Sequence, residues 1–220
     1  MAENFVYFDL ETMRSANDVG GWDRKADMGM SVGVTFSTAE NRYRIYDERN
    51  VQELIDELCS ADLVIGFNHI SFDYEVLMGY TILDLKEQTR NLDLMLDLES
   101  ELQHRPKLDA IASQTLGESK TAVGTDAIKW WQEGRIMDIA EYCCFDVKVT
   151  KMVHEYGAKH GLVKYKNRFN QYLDVPVQWR LPVSERDSTL PTPVERSNRR
   201  QRPVHQGAGK GQSRRQSRSD

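Results

Sequence analysis

The stretch Asn4-Phe-Val-Tyr-Phe-Asp-Leu-Glu-Thr12 decides how the rest of the chain is read. Aromatic and β-branched residues dominate it, which is a strand signal. Side chains alternate along a strand, so Phe5, Tyr7, Asp9 and Glu11 share one face and Val6, Phe8 and Leu10 the other. Two acids two residues apart therefore stand side by side at the end of an apolar strand. Their repulsion is unfavourable unless a cation or a proton lies between them.

Working outward, Met30–Phe36 and Arg42–Tyr46 read as two further strands. Val51–Cys59 has apolar residues at helical spacing, with Asn50 as its cap. Leu63–Phe67 is a short buried strand, and Ser71 is positioned to cap a helix from Phe72 to Met78. Leu92–Leu98 is ambiguous, because its alternating Leu and Asp suit a strand while the residues that follow suit a helix. Leu108–Leu116 is helical and stops at Gly117. Thr125–Trp131 and Arg135–His160 complete the helices, and Leu162–Trp179 reads as a terminal hairpin. Strands come first and then alternate with helices. The expectation is an α/β fold, a mixed sheet covered by helices, with the ligand site at the carboxyl ends of the strands.

Two more elements carry chemistry. In Gly66-Phe-Asn-His-Ile-Ser-Phe-Asp73, a buried strand runs through a polar turn into a helix. Asp73 falls in the first helical turn, where the helix dipole favours an anion. His69 reads as a structural hydrogen-bonder rather than a catalyst. In Tyr142-Cys-Cys-Phe-Asp146, the Tyr and the Asp are four apart on one helix and face the same way. Val149 and Val153 continue their stripe, while Ile136, Ala140, Cys143 and Val147 form another, facing the core. A semi-buried acid needs a partner, because an unpaired buried charge costs several kcal/mol. A metal would be one.

Taken together and in order, Phe8-Asp-Leu-Glu-Thr12, Asn68-His-Ile-Ser-Phe-Asp73 and Tyr142-Cys-Cys-Phe-Asp146 resemble the motifs of the DEDD (DnaQ-like) superfamily of 3′→5′ exonucleases. The tyrosine four residues before the last Asp places the resemblance in the tyrosine-bearing (DEDDy) subgroup. The second and third pieces look most like the exonuclease domain of family B DNA polymerases, and bacterial stand-alone RNase H-like nucleases are similar too. The resemblance covers about residues 4–160. It implies an RNase H-like fold and a nuclease that removes nucleotides from the 3′ end of single-stranded DNA or RNA.

The resemblance also implies roles. Asp9 would bridge two ions, Glu11 and Asp146 would complete one of them, and Asp73 would support the second through water. Ligands that are all carboxylates suit Mg²⁺ or Mn²⁺. Tyr142 would orient the attacking water, since an ordinary tyrosine pKa of about 10 makes it a poor base. Thr12, Asn68 and Phe72, within the motifs, are expected to contact substrate. Trp22, in the loop after the first motif, is placed to stack on a terminal base. Trp130 and Trp131 read as packing residues. Two other readings stay open at this point: an RNase H-like endonuclease, and a non-catalytic nucleic-acid-binding module.

Composition sets the frame. Hydrophobic residues at 40% and charged residues at 29% of 220 residues fit a globular chain of one or two domains. The longest apolar runs are far short of the ~20 residues that span a bilayer, so no membrane partner is expected. Met1-Ala-Glu-Asn4 has no basic leader region. Three cysteines form neither a disulfide framework nor a zinc spacing, and the expectation is a reducing cytoplasmic setting. Charge is unevenly spread. Residues 181–220 hold nine basic residues against four acids and four of the six prolines, whereas 1–180 hold 20 basic residues against 30 acids. The expected division is a nuclease domain over 1–180 and a disordered basic tail over 181–220 that is able to contact nucleic acid.

Overall fold

The computed structural model describes residues 3–117 and 125–183. In chain order the elements are β1 (Phe5–Thr12), α1 (Ala16–Val19), β2 (Met30–Ser37), β3 (Arg42–Tyr46), α2 (Val51–Ser60), β4 (Leu63–Gly66), α3 (Asp73–Leu77), α4 (Leu85–Gln88), β5 (Asn91–Asp93), α5 (Leu94–Leu102), α6 (Leu108–Thr115), α7 (Thr125–Gln132), α8 (Ile136–His160), β6 (Leu162–Lys166) and β7 (Tyr172–Pro176). Short 3₁₀ turns cover Trp22–Asp27 and Glu48–Asn50.

β1 to β5 form one five-stranded mixed sheet in the order β3-β2-β1-β4-β5. β1 runs antiparallel to β2 and parallel to β4, and β4 runs parallel to β5. The alternation read from β1 is realised in the packing. Phe5 and Tyr7 face a core shared with α5, α6, α7, α8 and the β6–β7 hairpin, while Val6, Phe8 and Leu10 face a second core built with α2 and α3. Both halves of the strand are sealed, and each fully buried aromatic or aliphatic side chain contributes about 1.5–3 kcal/mol. The expected architecture is thus the one observed: a mixed sheet flanked by helices, with a C-terminal hairpin.

Local details depart from expectation. Ser71 does not cap α3. The cap position falls on Phe72 with no side-chain bond, and Asp73 is the first helical residue. Asn50 stands before α2, but its side chain accepts the Asp47 N–H at 2.8 Å instead of capping the helix. Leu92–Leu98 resolves into both alternatives, the end of β5 and then α5, with Asp93 as the cap. Ile136 is 36% exposed rather than in the core, since it opens α8. The basic tail lies outside the described residues but for Leu181–Val183, where the Val183 N–H bonds Glu3 at 2.9 Å. Among the described residues no helix is long and apolar enough to cross a membrane.

α8 is the spine of the first core. Near its C-terminal end His154 is fully buried, bonded to the Tyr7 hydroxyl at 2.9 Å and stacked on Trp179. Burial, with Arg180 and Lys151 nearby, lowers its pKa to about 4. Unfolded His binds its proton near 6.5, so between pH 6.5 and 4 the unfolded chain holds a proton that the folded one lacks. Stability therefore falls as pH drops through that window, by up to about 3 kcal/mol from this group. A His154→Gln chain, followed by urea denaturation from pH 7 to 4, is expected to lose less stability over the interval than the parent. Parallel curves would remove His154 as the cause.

Candidate active site

Three of the five expected carboxylate and tyrosine positions meet as one cluster. The carboxylate oxygens of Asp9, Glu11 and Asp146 lie within 4.8 Å of one another. β1 supplies the first two on one face, and the spacing along α8 presents the third across from them. Asp9 and Glu11 are half-buried and Asp146 is 6% exposed. Three like charges this close, in a partly desolvated corner, repel one another, and a cation or a proton shared among them relieves that repulsion. Hard carboxylate oxygens in such a set suit a divalent cation.

Tyr142 lies one helical turn before Asp146 and is likewise buried, its ring edge-on to Trp130 at 6.0 Å. Trp130 thus packs against the core as expected and also fixes Tyr142. Asp73 is placed differently. It is buried, and its Oδ1 accepts the backbone N–H of Leu10 at 3.0 Å, between the two β1 acids. It is not a member of the three-carboxylate cluster. Burial raises its pKa to about 7, against the lowering effect of the Leu10 bond. In this geometry Asp73 holds the end of β1 in register with α3.

Cys143 is a site residue that the sequence marked only as core. Its thiol lies 3.3 Å from the Asp9 carbonyl and 3.4 Å from Asp9 Oδ2, as donor to both. Burial, followed by the Asp9 and Glu11 charges, pushes its pKa well up, so it stays a thiol. Asp93 is another. Its buried carboxylate accepts N–H groups from Asn68 at 2.8 Å and Ile70 at 3.1 Å, and caps α5 through Met95 and Leu96. That anchors the turn in which Asn68 adopts a left-handed φ of 72°. The alternating Asp of 91–97 was its only trace in the sequence. His69 is the structural residue expected, bonded through Nε2 to Asn91 at 3.1 Å, and burial lowers its pKa.

Beside the carboxylates opens a cleft of about 500 Å³, lined by Glu11, Thr12, Arg14, Ser15, Ala16, Asn17, Trp22, Met28, Phe72 and Ile128. Three of the four expected substrate residues, Thr12, Trp22 and Phe72, line it, and Asn68 does not. Trp22 is 66% exposed and meets Phe72 edge-on at 6.3 Å between ring centres. The Thr12 hydroxyl is engaged with the Arg14 carbonyl at 3.0 Å. Arg14 was not anticipated. Its Nε donates to the Met28 carbonyl at 3.3 Å, and it makes no ion pair among the described residues, which leaves a cation at the rim of an acidic site.

No protein-family model and no curated protein matches the sequence. Solved structures do. The family B DNA polymerase from the hyperthermophilic archaeon Pyrobaculum calidifontis matches 70% of this chain with a TM-score of 0.55 and 15% identity. The likeness is one of fold. This chain spans only 24% of that polymerase's length. E. coli Exonuclease I in complex with a dA16 oligonucleotide aligns over 71% of this chain and 41% of its own, at 12% identity and a TM-score of 0.44.

Proposed function

We propose that the chain is a metal-dependent 3′→5′ exonuclease of the tyrosine-bearing DEDD group, hydrolysing phosphodiester bonds of single-stranded nucleic acid. The observation that carries this reading is the convergence of Asp9, Glu11 and Asp146, acids from distant parts of the sequence, within 4.8 Å. The motif order supports the polarity, and the polymerase likeness supports the fold alone.

Asp9, Glu11 and Asp146 would hold divalent cations, with Asp73 contributing through water. When bound, such a pair stabilises the charge that develops on the attacking and leaving oxygens of an in-line displacement. The residues of this chain supply the rest. The Cys143 thiol and the Asp73–Leu10 bond orient the Asp9 and Glu11 carboxylates. Tyr142 orients the attacking water through its hydroxyl. Trp22 and Phe72 give the terminal base an aromatic wall, and Arg14 offers a phosphate its only cation among the described residues lining the cleft.

The decisive test is a gel time course on matched 5′-labelled DNA and RNA strands with Mg²⁺, Mn²⁺ or EDTA. A ladder shortening from the 3′ end with either metal, silent in EDTA and stalled by a 3′ block, is the expected result. Discrete internal fragments from the blocked strand would show endonuclease action instead. No products with either metal would leave only a binding module.

Tyr142→Phe separates positioning from base catalysis. With the hydroxyl gone, kcat is expected to fall on the order of 10²-fold, with KM little changed. The pH dependence of the residual rate keeps its shape, because the tyrosine carries no proton that the reaction consumes. A limb that disappears in the Phe variant would make Tyr142 the base.

A further inference from the structure

The β6–β7 hairpin lies outside the motif-bearing region and takes no part in the cleft. Its inner face carries Val163 and Val175, both buried. Its outer face and tip are different. Phe169 and Tyr172 are 67% and 72% exposed, and each has a cation on its ring: Arg168 at 4.9 Å from the Phe169 centroid and Lys166 at 5.2 Å from that of Tyr172. Large aromatic side chains at this exposure remain in water only at a cost, unless something covers them.

The charges beside these rings are clustered. In a body with excess acid, most of the described arginines are ion-paired, as in Arg105 with Glu99 and Arg135 with Asp138, whereas among the described lysines only Lys86, Lys129 and Lys151 are. Lys164, Lys166 and Arg168 form no ion pair among the described residues. The tip is also built rigidly. Asn167 Oδ1 accepts the N–H groups of Phe169 at 2.9 Å and Gln171 at 3.0 Å, and its amide donates to Gln171 Oε1 at 2.8 Å. A cavity of about 570 Å³ opens beside it, with His104, Tyr165 and Phe169 in its wall and no lining residue shared with the catalytic cleft.

We infer that this hairpin is a second binding surface for single-stranded nucleic acid, separate from the catalytic cleft. Every base offers a face to an aromatic ring, and every phosphate needs a cation. Alternating rings and cations on a preorganised tip supply both without reading sequence. The complementarity selects the occupant, since unpaired cations on an otherwise acidic body fit a polyanion better than another acidic protein surface. The ligand class rests on the exonuclease reading; the surface itself does not.

The test uses the full chain in Ca²⁺ or EDTA, fluorescence anisotropy with a fluorescein-labelled 20-nucleotide oligothymidine, and photocrosslinking of the same strand carrying iododeoxyuridine. Phe169→Ala with Tyr172→Ala is expected to weaken binding at least about 10-fold. Replacing Lys164, Lys166 and Arg168 with Ala is expected to lower the slope of log affinity against log salt by about 2. Crosslinks should map to the peptide containing Phe169 and Tyr172, and turnover of a trinucleotide should stay at the parent level. Both sets change exposed or half-buried surface side chains, and an unchanged Tm confirms folding. Unaltered affinity and salt slope, or crosslinks confined to cleft peptides, would overturn the inference. A wild-type chain that cleaves nothing while the hairpin variants still lose binding would refute the catalytic reading and uphold this one. Normal cleavage with unaffected binding does the reverse.

Discussion

Asp146→Asn and Asp9→Asn should each reduce metal-dependent cleavage by at least about 10³-fold while leaving the chain folded, and more stable than the parent in EDTA. The two halves of that result have one cause. Asp9, Glu11 and Asp146 crowd their oxygens within 4.8 Å, and Asp146 is buried. Without a cation this arrangement is repulsive, so neutralising one member relieves it. With a cation the same charges become the ligands, and losing one weakens the charge stabilisation that transfer at phosphorus depends on. Melting curves in EDTA and in 1–10 mM Mn²⁺ read both effects. The parent should gain stability from Mn²⁺ by mass action, and either variant should gain much less. An Asp146→Asn preparation that cleaves at the parental rate would remove the cluster from the chemistry.

Asp73→Asn gives the second large effect, and it is one of pH. The Asp73 carboxyl is buried and titrates near 7 when folded, against about 4 when unfolded. Between these values the folded chain keeps a proton that the unfolded chain has lost. Stability therefore falls as pH rises from about 4 to 7, at up to about 1.4 kcal/mol per pH unit. An Asn in its place still accepts the Leu10 N–H bond but does not titrate. Compared in EDTA, so that no metal biases the proton, the variant should match the parent at pH 4 and exceed it by a few kcal/mol at pH 8. Activity should nonetheless drop, because the acid proposed to contribute through water is gone. Identical pH–stability curves would mean that Asp73 ionises freely in the fold.

The contrast between these two aspartates explains what a sequence can and cannot convey about this site. Strand periodicity fixes which side of β1 each residue takes, so Asp9 and Glu11 could be paired from their spacing alone. Helix periodicity does the same for Tyr142 and Asp146, and both readings match the packed structure. Periodicity says nothing about which backbone donor a carboxylate will find. Asp73 therefore followed the motif order but turned to the Leu10 N–H instead of joining the other acids. Ser71 looked like a cap by residue type, yet the turn anchored by Asp93 sets where α3 begins. Cys143 looked like core because core and site share one face of α8. Arg14 escaped notice because only the fold of α1 and the turn after it brings the segment 14–22 against Phe72. Short elements such as α1 and α4 hold too few residues to show a period at all.

The most direct measurement is a crystal soaked in Mn²⁺ with data collected at the manganese absorption edge. The convergence of acids from β1 and α8 predicts anomalous peaks between Asp9, Glu11 and Asp146, at about 2.0–2.3 Å from their oxygens, which vanish in Asp146→Asn. Carboxylates that stay in place with no peak among them, at a concentration that supports cleavage, would contradict it.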